Sequence, residues 1–263
     1  MAIGESKVYP SKIIRVGALL PDTKLMLANW NSEADVPTNL RQIQETNLFG
    51  KASRARVKAM LTIFKQRYLS DTYVLSALHI LVQQGVSAEV LDRILYFLTL
   101  QDDLLLHDVV LNVFAPMVES GRQDVTVRDV DDWIKEQIAA GKTQRQWNDE
   151  TRFRVSQGVM ATMRDFGVLE GVVNKRIASM HLPTLAFCFI AFLLNRKQRS
   201  GEQLLNDPEW QLFFLQPQIV ERFFLEAHQE RLLTYYAAGR VIRIEFPTDS
   251  IEEYAHALAQ RTH

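Results

Sequence analysis

Along most of the chain, apolar positions recur at the 3.6-residue spacing of a helix, and strict alternation is rare. Asp71 caps one such segment, which ends before Gly85. Ser87 caps the next, which ends near Asp102, and Asp103 begins a third that meets Pro116 and stops at Gly121. Connections this short predict antiparallel neighbours. Residues 71–121 therefore read as a helical core with Leu75, Leu78, Leu91, Ile94, Leu95 and Leu98 inside. Upstream, a helix near 53–69 would bury one stripe of Val57, Met60, Leu61, Phe64 and Tyr68. Downstream, Val127, Val130, Trp133, Ile134 and Ile138 form one amphipathic face, with Thr126 as the cap and Gly141 as the close. The longest apolar run, Leu182 to Leu194, has 13 residues, short of the roughly 20 that a bilayer span needs. It reads as a buried helix.

Two places break the helical rule. In Val168 to Met180, two short β-prone runs flank Asn174-Lys175. In Leu232 to Phe246, the runs Leu233–Tyr236 and Arg240–Phe246 flank Gly239. Each candidate hairpin follows a helix–turn–helix-like stretch, which is the layout of a winged helix. The expected fold is mainly α: a helical globular protein with helix–turn–helix or winged-helix-like elements and one or two short β-hairpins. The break near Gly121–Val125 divides it into an N-terminal helical domain, 1–121, and a C-terminal region, 122–263. That region would hold winged-helix-like motifs at about 126–181 and 200–246.

Apolar residues make up 47% and charged residues 23%, which argues for a folded globular chain rather than disorder. The N-terminus, Met1 to Lys7, lacks a secretory apolar core, and Cys188 is the lone cysteine. Both fit a cytoplasmic protein. The formal charge is −1, yet charge is segregated. Residues 51–67 hold six cations and no acid, and residues 141–200 hold ten cations against four acids. Residues 102–136 net −6 and residues 202–263 net −5. Such blocks are usually solvated helix faces, but they also give a neutral protein a local field for phosphate.

Within 149–166, Val155, Val159, Met163 and Phe166 fall on the core side of a helix. Arg154, Gln157, Ala161 and Arg164 then share the opposite face. A small residue between Arg and Gln lets a helix approach a base-pair edge, where Arg pairs with guanine and Gln with adenine. The hairpin behind carries Lys175 and Arg176 at its tip, where a wing would meet the backbone. Arg145 and Arg152 would anchor phosphates beside them, with Lys58, Lys65 and Arg67 as a second backbone surface. In the C-terminal candidate, Ile219, Val220, Phe223, Phe224 and Ala227 pack one face after Pro217, and Glu221, Arg222, Glu226 and Gln229 face out. Glutamates repel phosphate, so this second motif reads as structural or partner-binding, although Arg240 and Arg243 could touch a backbone.

There is no glycine-rich phosphate loop. The histidines at 79, 107, 181, 228, 256 and 263 have no metal-ligand spacing. His107 and Asp108 are neighbours about 100° apart on a helix, so no dyad is expected. Asp102-Asp103 and Asp131-Asp132 could suggest a metal-dependent nuclease, but both pairs sit near helix starts, where the dipole favours carboxylates. Cys188 reads as inert core, and Trp30, Trp133, Trp147 and Trp210 as packing anchors. No catalysis, metal or cofactor is expected.

Lys51 to Leu69, the 148–171 helix running into its Gly-Val-Leu-Glu-Gly ribbon, and LLTYYAAGRVIRIEF near the C-terminus resemble the BrxA family, core components of bacteriophage exclusion (BREX) defence systems. The likeness extends over nearly the whole chain. It implies a mostly helical cytoplasmic protein with helix–turn–helix elements that binds double-stranded DNA without known catalysis, in concert with other BREX proteins. Some members of the family carry an inner-membrane label, which the 13-residue apolar run here does not support. A monomer is expected. The resemblance names no contact residues, so those above come from the helical-face argument. Six to eight phosphate contacts would give a log–log salt slope of roughly −5 to −7. The rival expectation is a helical adaptor that docks partner subunits through its acidic segments and does not touch nucleic acid.

Overall fold

A computed structural model describes residues 8–14, 17–196, 199–239 and 241–261. Met1 to Lys7, Lys197, Arg240 and His263 lie outside the described residues. The chain is mainly helical, as expected. A 3₁₀ turn, Lys12–Ile14, precedes α1 (Leu20–Ala28), α2 (Val36–Glu45) and α3 (Arg54–Tyr68). Asp71 accepts from the amides of Tyr73 and Val74 and so starts α4 (Thr72–Gln83), which ends at Gly85 with φ +73°. The Ser87 hydroxyl accepts from the Val90 amide at the start of α5 (Ala88–Asp102).

Asp103 caps α6 (Leu104–Val109), which runs through a π turn, Val110–Phe114, into α7 (Ala115–Glu119). Pro116 has no N–H to give Asn112, four residues back, and the helix widens just ahead of it. After β1 (Asp124–Val125), Thr126 and Asp129 close a capping box on α8 (Val127–Ala139). Asn148 caps α9 (Asp149–Asp165), followed by β2 (Leu169–Glu170) and β3 (Lys175–Ile177). The 13-residue apolar run becomes α10 (Thr184–Asn195), buried almost throughout. Among the described residues, no helix is long and apolar enough to cross a membrane. The chain ends with α11 (Gly201–Leu205), a 3₁₀ segment (Pro208–Phe213), α12 (Pro217–Gln229), the hairpin β4 (Thr234–Ala238) and β5 (Val241–Glu245), and α13 (Ile251–Ala259).

The chain divides into two compact units, one of residues 1–19 and 99–180, the other of 20–98 and 181–263. The division expected near Gly121–Val125 is not where contacts thin out. β1 pairs with β3, and α8 packs on the π turn, so residues 99–121 belong with 122–180. The first unit holds a three-stranded antiparallel sheet in the order β1-β3-β2, with Asp124 and Glu170 both opposite Arg176.

The second unit is built on aromatic packing. Phe187 stacks on Trp210 at 4.6 Å and on Phe223 at 4.9 Å, and meets Phe224 edge-on at 4.8 Å. The same Phe224 stacks on Tyr235 of β4. Tyr96 is fully buried and donates to the Leu212 carbonyl at 2.8 Å. α13 packs on α4, where Gln84 and His256 hydrogen-bond at 2.6 Å. Three of the tryptophans are buried, and Trp133 is half-buried against Tyr9. Burial pushes the Cys188 thiol up to about 12, which leaves it protonated and inert.

Candidate nucleic-acid interface

The first unit carries the arrangement of interest. α8 packs on α9 through Val130 and Ile134 on one helix and Val155, Val159 and Met163 on the other, all essentially fully buried. The connection between them, residues 140–148, is longer than the three or four residues of a tight helical corner. Such a link needs outside support, and the N-terminal segment supplies it. The Tyr9 amide donates to Lys142 O at 2.8 Å, and the Gln144 amide donates to Tyr9 O. The Tyr9 hydroxyl donates to Asp108 at 2.6 Å. The following turn lies against α9 at Gly158, where an added Cβ would sit 3.2 Å from Ile13 O.

Asp108 also takes a hydrogen bond from its neighbour His107 at 3.0 Å, so these two do touch, contrary to the helical-wheel expectation. The imidazole swings across because χ1 and χ2 can close the 100° gap. Burial pushes the Asp108 carboxyl up, but the hydrogen bonds from His107 and Tyr9 outweigh it and hold the group below the ordinary range. The carboxylate is occupied in pinning the N-terminal segment.

On α9 the predicted faces hold. Val155, Val159, Met163 and Phe166 are buried, while Arg154, Gln157 and Arg164 are exposed around a half-buried Ala161. The stripe is less positive than its sequence suggests. Arg154 pairs with Glu150 at 2.9 Å, Arg164 with Asp165 at 3.3 Å, and Arg176 with Glu170 at 3.7 Å. All three pairs are solvent-exposed, and such pairs contribute about 0–1 kcal/mol. A phosphate could take the cation at little cost.

Arg152 differs. Its Nε donates to Asp131 at 2.9 Å and its Nη1 to Asp149 at 2.6 Å, with the side chain only 16% exposed. The Asp131 hydrogen bond raises the guanidinium further above its ordinary pKa. Arg152 therefore locks α9 to α8 and is poorly placed to anchor phosphate. Asp131 also accepts from the Ser156 hydroxyl at 3.2 Å. This role predicts that Asp131→Ala lowers stability by about 2 kcal/mol, because it leaves a mostly buried guanidinium short of a partner. Calorimetry should read a midpoint roughly 4–8 °C lower. An unchanged midpoint would assign the carboxylate a role other than packing.

Arg145 and Lys175 have no acidic partner among the described residues. Lys175 and Arg176 do not form the hairpin tip. They lie in β3, and the turn is Gly171 to Asn174, because Gly171 takes the left-handed conformation at φ +89° and reverses the chain there. Arg176, opposite two acids, is the more neutralised of the two.

In the second unit, Lys58 and Lys65 are exposed on α3 without an acidic partner among the described residues. Arg67 is 4% exposed and cannot serve as a surface phosphate contact. Ile63 joins the buried arc and widens it until the position of Arg67 falls inside. The C-terminal hairpin forms as predicted, with Gly239 at φ +61°. Its helix α12 buries Val220, Phe224 and Ala227, while Ile219 is 37% exposed. Glu221 is held by the Tyr235 hydroxyl at 2.7 Å, and Arg243 pairs with Glu245.

A cavity of about 620 Å³ in the second unit is lined by Trp30, Leu75, His79, Ile80 and His256 among others. His79 is occupied with Leu27 O at 2.8 Å and His256 with Gln84. No group of three or more His, Cys, Asp or Glu side chains is placed to hold a metal among the described residues. The sequence profile of the BrxA family matches residues 7–194. No curated protein matches the chain.

Proposed function

Because the chain belongs to the BrxA family, whose members are components of BREX phage-defence systems, we propose that it binds double-stranded DNA without catalysing a reaction on it. The reading rests on one observation. Arg154, Gln157, Ala161 and Arg164 share the solvent face of α9, and the ribbon β2–β3 follows with the sheet order β1-β3-β2. Strand, helix, helix, then a two-stranded ribbon is the order of a winged helix. A recognition helix in that position presents its outer face to the major groove. Arg145 and Lys175 anchor phosphates beside it, and Arg154, Arg164 and Arg176 trade weak carboxylate partners for the polyanion. The protein works as a monomer in the cytoplasm, next to other BREX proteins.

The attraction is local. Residues 1–19 and 99–180 carry thirteen cations against fourteen acids, so net charge gives this unit no pull on DNA. Five contacts from the first unit predict a log–log salt slope of about −4.5, and engagement of Lys58 and Lys65 as well moves it to about −6. Titration of duplex DNA across a salt series measures this. A flat dependence, or no binding at low salt, rules the reading out.

The same neutralised cations favour a second reading, in which the acidic faces dock other defence subunits and DNA is not touched. Duplex binding that is absent while subunit pull-down persists selects it.

A further inference from the structure

The turn between β2 and β3 carries an apolar tip that α9 and its cations leave unexplained. A Cβ at Gly171 would lie 2.1 Å from Asn174 O, so glycine is required for this reversal. Lys175 Nζ donates to Val172 O at 3.0 Å and closes the turn from the other side. Val172 and Val173 consequently stand 77% and 89% exposed on a locked turn. Val173 also borders a cleft of about 360 Å³ that Val125, Thr126 and Met160 line, yet both valines face solvent.

We propose that Val172 and Val173 enter the minor groove of the duplex whose major groove receives α9, wedging a base step apart and bending the DNA. This rests on the DNA-binding reading. The size of the patch selects the partner. A stable protein interface buries roughly 1,200–2,000 Å², far more than two valines present. A base-step wedge needs only one or two apolar side chains. The local charge agrees: between Gly171 and Arg176 the chain has no acid, and Lys175 and Arg176 follow the tip directly. Asn174 adds an amide suited to the acceptors that A·T pairs show in the minor groove.

The test uses the full chain and a duplex of about 30 base pairs with a fluorophore at each end, so that energy transfer reads the bend. Wild type is expected to bind and bend. The double variant Val172→Ser, Val173→Ser should lose about tenfold in affinity and most of the bend, with the salt slope unchanged, because no phosphate contact is removed. Val172→Leu with Val173→Leu should keep both affinity and bend. Wild type that fails to bind at low salt removes the DNA-binding reading and this one with it. Wild type that binds without bending overturns the wedge alone. So does a serine variant that binds and bends like wild type, including one that has lost a protein partner instead.

Discussion

Reversing Arg154, Arg164, Lys175 and Arg176 to Glu together should weaken duplex binding at least 100-fold at about 100 mM salt and flatten the salt slope by about 3.6. All four side chains reach solvent, fully or in part, and none is buried in the core. Their present partners are exposed carboxylates, the Gln123 side chain for Arg176 and, for Lys175, a backbone carbonyl. Stability should therefore change little, and circular dichroism should show an unaltered helix content. The control reverses Arg41, Arg222, Arg231 and Arg261, all exposed in the second unit. It changes the total charge equally. If the stripe acts by position, the control loses less than about threefold. Equal losses in the two variants would mean that DNA senses only net charge, and the recognition role of α9 would fall.

The second large effect concerns folding. Phe187→Ala should destabilise the second unit by about 3–5 kcal/mol. The ring is 0% exposed and lies between Trp210 and Phe223, with Phe224 edge-on. Those neighbours are rigid planes with few alternative rotamers, so the vacated space cannot collapse, and the stacking terms are lost along with the transfer free energy. In a chain of this size the thermal transition of that unit should fall by roughly 10 °C. Phe223→Ala removes a half-buried ring from the same stack and should cost less. Denaturant titration measures both. A loss under about 1 kcal/mol for Phe187→Ala would show that the cluster repacks. DNA affinity well below the transition should match wild type, because the cations of the stripe belong to the other unit.

Local signals carried most of the element assignments. Asp71, Asp103 and Thr126 satisfy amides two or three residues away, so their capping role is visible in a short window. The exposed stripe on α9 is legible for the same reason, since helical period alone separates it from Val155, Val159 and Met163. What escaped depends on distance along the chain. Asp131 neutralises Arg152 from 21 residues away, and Tyr9 reaches Asp108 across 99. No periodicity encodes such pairs. Arg67 was misplaced because the width of a buried arc depends on what packs against it, which the helix does not announce. The hairpin tip moved three residues because a β-turn signal at Asn174-Lys175 competed with the left-handed glycine at 171, and the glycine governs where the chain reverses. The two-unit division was hidden because the second unit is assembled from separated stretches, 20–98 and 181–263.

That discontinuity has a consequence during synthesis. α4 packs on α13, and their hydrogen-bonded residues Gln84 and His256 are 172 positions apart. Leu75, Leu78 and Leu81 of α4 are buried in the finished protein, and α4 leaves the ribosome long before α13 is made. At about 5–20 residues per second the wait is roughly 9 to 34 s. A nascent chain with so long an unshielded interval is a natural client for holdase chaperones, and slowing translation should lower its soluble yield.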